Sequence, residues 1–127
     1  IAETGDFDCL GHVDLIKRYA AGQGISIRLE DDEEAVRELF RILVRRNKGI
    51  EINTSGLRQA VHEQFPSNTL IKWYKDEGGT IITLGSDAHR RQDVGAGIQE
   101  AEKILQSLGF PYISRFKERR LLQEKIN

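Results

Sequence analysis

"GGTIITLGSDAHRR", residues 78–91, decides how this chain folds. Gly78 and Gly79 end whatever precedes them, and the β-branched run Thr80-Ile81-Ile82-Thr83 followed by Leu84 favours an extended strand. The run is continuously apolar rather than alternating, which predicts a parallel strand covered on both faces. Directly behind it stand Asp87 and His89, two residues apart and at the strand's carboxyl end.

Working outward, strands alternate with helices. Val36, Leu39, Phe40, Leu43 and Val44 recur at helical spacing inside a helix predicted over about residues 32–47, with acids in its first turn, Arg45 and Arg46 in its last and Gly49 beyond. Residues 7–12 read as a short strand and 14–21 as a helix ended by Gly22 and Gly24. Residues 49–53 read as a strand and 69–77 as a helix. Ile98, Ala101, Ile104, Leu105 and Leu108 mark a third amphipathic helix, and Pro111 to Ser114 offers a last short strand. The order β-α-α-β-α-β-α-β implies an α/β domain of parallel strands joined by right-handed crossovers. Trp73 and Tyr74, at helical spacing with Leu70, belong to the core, whereas His62 lies among polar residues and is expected at the surface. Arg115, Lys117, Arg119 and Arg120, diluted by Glu118 and Glu124, read as a solvated basic face.

Composition bounds the partners. The chain has 127 residues, 39% hydrophobic and 31% charged, with a formal charge of -1, so no global field draws it to nucleic acid or anionic lipid. A single cysteine, Cys9, excludes an internal disulfide and suits the cytoplasm. No apolar stretch is long enough to span a bilayer. There is no methionine, and a chain that starts on Ile1 reads as a piece of a longer polypeptide.

In folds of this kind chemistry collects at the carboxyl ends of the strands. Those ends here read "GHVD" (11–14), "EINTSG" (51–56) and "GSDAH" (85–89), the most polar and glycine-rich segments of the chain. Residues i and i+2 of extended backbone point the same way, so Asp87 with His89, and His12 with Asp14, can each face one site. Imidazole and carboxylate together suit borderline divalent ions such as Zn²⁺, Mn²⁺ or Fe²⁺. The plainer reading, a histidine bonded only to its own turn, loses weight because the pattern occurs twice.

"FDCLGHVDLIKRY" (7–19), "IEINTSGLR" (50–58) and "GSDAHRRQDVGAG" (85–97) together resemble the later motifs of the polymerase and histidinol phosphatase (PHP) superfamily, most closely its histidinol-phosphatase branch. The resemblance runs from Phe7 to Phe110 and implies the C-terminal portion of a distorted (β/α)₇ barrel. It also implies two or three divalent ions, Zn, Mn or Fe, at the barrel's carboxyl face. By position, His12, Asp87 and His89 match metal ligands of that family, and Asp14 matches a residue that orients a ligand. The family's earlier motifs, beginning with an H-x-H pair, have no counterpart in residues 1–127. The chain is therefore expected to form one half of a single domain, inactive alone, and to associate with the N-terminal half or with itself through an uncovered apolar face.

The expected activity is hydrolysis of L-histidinol phosphate, a small phosphate monoester, in histidine biosynthesis. The alternatives are another PHP phosphoesterase, acting on nucleotides or as a polymerase exonuclease, and a non-catalytic piece with an incomplete metal site. Neutral charge and the lack of interleaved basic and aromatic residues disfavour a nucleic-acid substrate. For the phosphate, Arg18 either reaches the substrate or pairs with Asp14 four residues before it. Asn53, Ser55 and Arg58 either donate to phosphate or organise a turn and helix cap, and Arg90 is the better placed of Arg90 and Arg91.

Overall fold

The computed structural model describes residues 1–127. Strand β1 (Cys9–Leu10), helix α1 (Ile16–Ala21), helix α2 (Glu33–Arg45) and strand β2 (Gly49–Asn53) are followed by helix α3 (Asn68–Asp76), strand β3 (Ile82–Gly85), helix α4 (Ile98–Ser107) and strands β4 (Tyr112–Lys117) and β5 (Arg120–Lys125). β1, β2 and β3 form a parallel sheet in that order, with Leu10 level with Ile50, and Ile52 with Leu84. Helices fill both crossovers, as parallel pairing requires.

The apolar stripe of α2 does what its spacing predicts. Val36, Phe40 and Leu43 are buried against Leu70, Ile71, Trp73 and Tyr74 of α3, and the same cluster takes in Ile50, Ile52, Ile82 and Leu105. Phe40 meets Tyr74 edge to face, with ring centroids 5.5 Å apart. Both aromatics of α3 are thus core residues, as expected. Asp32 caps α2 by accepting from Ala35 N at 3.4 Å, and Ser67 caps α3 through Leu70 N. No helix is long and apolar enough to cross a membrane.

Two expectations change. The sheet is covered by helices on one face only: Ile50, Ile52 and Ile82 point into the helical core, while Glu51 and Thr83, with Cys9 beside them, occupy the opposite face and are half-buried. Alternation in β2 already separates the two faces, and the apolar run before "GSDAH" overstated the burial of β3. The face without helices is consequently polar at this level, not the bare apolar surface anticipated for it.

The second change concerns the C-terminus. β4 does not join the parallel sheet; it pairs antiparallel with β5, Ser114 opposite Gln123 and Lys117 opposite Arg120. Arg115, Lys117, Arg119 and Arg120 are exposed, as expected of a solvated face, and they lie in the strands and turn of this hairpin. Its two-residue loop, Glu118-Arg119, has φ of 51° and 63°, the paired left-handed geometry that suits the right-handed twist of a hairpin. Neither residue type favours that region, which is why the turn does not announce itself in the sequence. Ser114 Oγ accepts from Ile82 N at 3.2 Å and so ties the hairpin to the start of β3. The turn itself grips the other end of the chain: Arg119 donates to Asp6 at 2.7 Å and to Asp8 at 3.0 and 3.1 Å. Its guanidinium holds both carboxyls below their ordinary pKa. Replacing Glu118 with asparagine, which tolerates positive φ, is expected to stabilise the fold by about 0.5–1 kcal/mol. A lower urea midpoint for Glu118→Asn would contradict this account of the turn.

Candidate functional site

The three loops that leave the carboxyl ends of β1, β2 and β3 lie side by side, and hydrogen bonds lock the second to the third. Asn53 Oδ1 accepts from Ser55 N at 3.0 Å, which turns the chain into the short 3-10 helix Thr54–Arg58. From that helix Thr54 Oγ1 donates to Ala96 O at 2.5 Å, and Arg58 donates to Ser86 O at 2.7 Å while lying 3.7 Å from Asp93. Gly97, at φ 81°, lies against Thr54, where a Cβ would come within 2.8 Å of the threonine Cβ. Residues 86–96 are in this way held over the end of the sheet.

Within that loop Asp87 takes φ 46°, and its Oδ1 lies 3.4 Å from His89 Nε2. The pair forms, though not by the extended i, i+2 geometry first used to connect them. His89 is 86% exposed, so its nitrogens are open to a ligand. His12 is also exposed and stands at φ 31°, and Asp14 sits in a turn rather than a strand. No three His, Cys, Asp or Glu side chains come together as a group able to hold a metal ion. Asp87 and His89 thus supply one oxygen and one nitrogen donor suited to a borderline divalent ion, and His12 remains apart from them.

Asp14 is 1% exposed and anchors a buried network. Lys17 Nζ lies 2.8 Å from Asp14 Oδ2 and donates to Glu63 and to Gln64 O, each at 2.8 Å. Ser67 N donates to the same Asp14 oxygen at 3.1 Å, and Ser67 Oγ bonds Glu30. The expected alternative for Arg18, pairing with Asp14, is therefore corrected: helix α1 begins only at Ile16, so the residue three positions on, Lys17, turns inward. Arg18 stays exposed beside the Tyr19 ring, at 5.8 Å from its centroid. Burial pushes the Asp14 carboxyl above its ordinary pKa, against the opposing pull of Lys17. Asp14 Oδ1 and Ser55 Oγ are both buried without a hydrogen-bond partner.

Of the remaining candidates, Asn53 and Ser55 are buried at the end of β2, Arg58 braces the neighbouring loop, and Arg90 is exposed in it. Sequence reasoning passed over Thr54, Lys17 and Glu51. Only Glu51 left a legible trace, as the charged member of the alternating run Ile50-Glu51-Ile52.

No family model matches the chain. Among curated proteins it is 32% identical over 114 residues to a probable histidinol-phosphatase of Thermotoga maritima, covering 90% of this chain and 46% of that protein. It is 31% identical over 120 residues to the histidinol-phosphatase of Lactococcus lactis, covering 94% of this chain and 44% of that one. The chain spans a little under half the length of the curated relatives it matches. Among solved structures, the histidinol phosphate phosphatase of Lactococcus lactis, complexed with Zn, L-histidinol and phosphate, superposes with a TM-score of 0.73 at 26% identity. That match covers 92% of this chain and 44% of the other. A Listeria monocytogenes structure at 24% identity and a TM-score of 0.62 shares the fold over 72% of this chain. Over nine-tenths of its own length the chain is thus similar in sequence to part of these histidinol-phosphatases, and its α/β fold is similar to that of the Lactococcus lactis structure.

Proposed function

We propose that this chain, with the rest of a longer polypeptide, forms a metal-dependent phosphatase that hydrolyses L-histidinol phosphate to L-histidinol and phosphate in histidine biosynthesis. Residues 1–127 would supply the C-terminal half of a single distorted (β/α)₇ barrel and work in the cytoplasm, where Cys9 stays reduced. The observation that carries the reading is the Asp87–His89 pair at the mouth of β3, in a chain that superposes over 92% of its length on a phosphatase binding Zn, L-histidinol and phosphate.

The donor set fits part of a metal centre. Asp87, His89 and His12 would hold divalent ions, two or three in number and Zn, Mn or Fe in kind, together with ligands from the other half. Bound ions of this kind lower the pKa of water and polarise phosphate oxygens. Asp14 Oδ1, buried and unpartnered, is an oxygen free to orient a ligand imidazole. Ser55 Oγ, equally unpartnered, is a hydroxyl available to phosphate. Asn53 and Arg58 shape the two loops around that hydroxyl, and Arg18 and Arg90 present exposed guanidinium groups to the anion.

The test is phosphate release from L-histidinol phosphate, measured for the 127-residue chain alone, for the chain with its N-terminal half, and after chelation. Activity is expected only in the second case. Preferential hydrolysis of nucleotides or DNA would overturn the substrate assignment. Within the active form, Arg18→Ala is expected to lower kcat/KM by roughly tenfold or more through lost charge-assisted hydrogen bonding to phosphate. Metal content and melting temperature should stay unchanged, since Arg18 braces nothing in the fold; a lower melting temperature with intact kinetics would remove Arg18 from the site.

A further inference from the structure

Glu51 is the only charged residue in the three parallel strands. It lies at the middle of β2, level with Thr83 on the face that no helix covers, and its carboxylate reaches toward the strand ends on both sides. A Cβ at Gly85 of β3 would come within 2.3 Å of Glu51 Oε1, and one at Gly11, just past β1, within 3.2 Å of Oε2. Glycine at both positions is what leaves room for the carboxylate. Gly11 adjoins His12, and Gly85 lies two residues before Asp87, so the carboxylate sits beneath the candidate ligand loops.

No ion pair engages Glu51. Its one hydrogen bond comes from Asn53 Nδ2 at 3.3 Å, while the neighbouring loop acids are taken: Asp14 and Glu63 by Lys17, Asp93 by Arg58. Around it on the same face are the neutral groups Cys9 and Thr83, which touch at 3.3 Å, and burial pushes the Cys9 thiol up to about 11. A half-buried carboxylate without a counter-ion is costly unless a cation arrives to pair with it.

We propose that Glu51 binds the protonated amine of the substrate and so selects amino-alcohol phosphates over other phosphate monoesters. The proposal rests on the phosphatase reading. The anionic end of such a molecule is met by Arg18, Ser55 and the bound ions, and its ammonium end needs an acid that is not already neutralised. In these strands and their loops, Glu51 is the acid that remains once the ligand Asp87 is set aside.

The experiment uses the complete polypeptide with both halves and compares wild type with Glu51→Gln, which keeps the shape and removes the charge. Calorimetry with L-histidinol and, separately, with inorganic phosphate reads the two ends of the substrate independently of turnover. The expected result is a loss of L-histidinol affinity of about tenfold or more, the scale of a charge-assisted hydrogen bond, with phosphate affinity unchanged. In kinetics, the preference for L-histidinol phosphate over its analogue lacking the amine should collapse in parallel. Glu51→Asp, which retains the charge on a shorter arm, should keep more of that preference than Glu51→Gln, a ranking a purely structural residue would not produce. Equal losses for both ligands and both substrates, or unchanged L-histidinol affinity with lowered stability, overturn the Glu51 assignment alone. A wild-type polypeptide that neither binds L-histidinol nor hydrolyses its phosphate overturns the phosphatase reading and this proposal with it.

Discussion

His89→Ala and Asp87→Asn, made in the complete polypeptide, are each expected to lower phosphatase turnover by about two orders of magnitude or more while leaving the fold intact. The fold should survive because neither side chain holds anything together. His89 is 86% exposed, and the loop that carries the pair is fastened by other atoms, Arg58 to Ser86 O and Thr54 to Ala96 O. Activity should fall because the two residues offer the one imidazole and carboxylate contact at a strand end, at 3.4 Å. Elemental analysis beside steady-state kinetics decides the point. Full activity with unchanged metal content in either folded variant would show that the pair is a surface contact and nothing more.

Lys17→Met should have the largest effect on stability. Asp14 is 1% exposed, and Lys17 is the cation that compensates it, at 2.8 Å. Removing one member of a buried pair leaves the other charge stranded, at a cost of about 3–5 kcal/mol. The pH dependence has a definite sign. Burial already holds the Asp14 pKa above its unfolded value, so the folded state binds the proton more tightly, and stability falls as pH rises through the window between the two values. Without Lys17 that window widens upward. The destabilisation should therefore be greatest at neutral pH and shrink on acidification, and Asp14→Asn added to Lys17→Met should recover part of it. Urea unfolding of both variants at several pH values measures this; a pH-independent loss would assign the effect to the contact of the Lys17 ammonium with the Phe65 ring, whose centroid lies 5.1 Å from Nζ.

Where a residue's neighbours are set by a regular period, its place could be read directly from the sequence. The stripe Val36, Phe40 and Leu43 lies buried on α2, and Gly49–Asn53 is a strand, as their periods require. Where backbone leaves the period, reading fails for a specific reason. The four-residue rule linked Asp14 to Arg18, yet Asp14 precedes α1 and faces Lys17 instead. The hairpin turn is built from Glu118 and Arg119, whose side chains carry no turn signal, and what holds it is an interaction with Asp6 and Asp8 at the opposite end of the chain. Thr54 was passed over because its hydroxyl bonds a carbonyl 42 positions away, a pairing no local pattern encodes.

The grip of Arg119 on Asp6 and Asp8 also orders assembly in time. Its partners are 113 and 111 positions away, among the longest separations a chain of 127 residues allows, and contacts so remote close only after nearer ones have shortened the path between them. Helices and adjacent strands come first and the clamp last. Being exposed, it is also the part of the architecture most readily loosened by salt. The last contact to form is then the first that ionic strength releases, and that release would free the hairpin tip from the N-terminal segment while the parallel sheet and its loops stay in place.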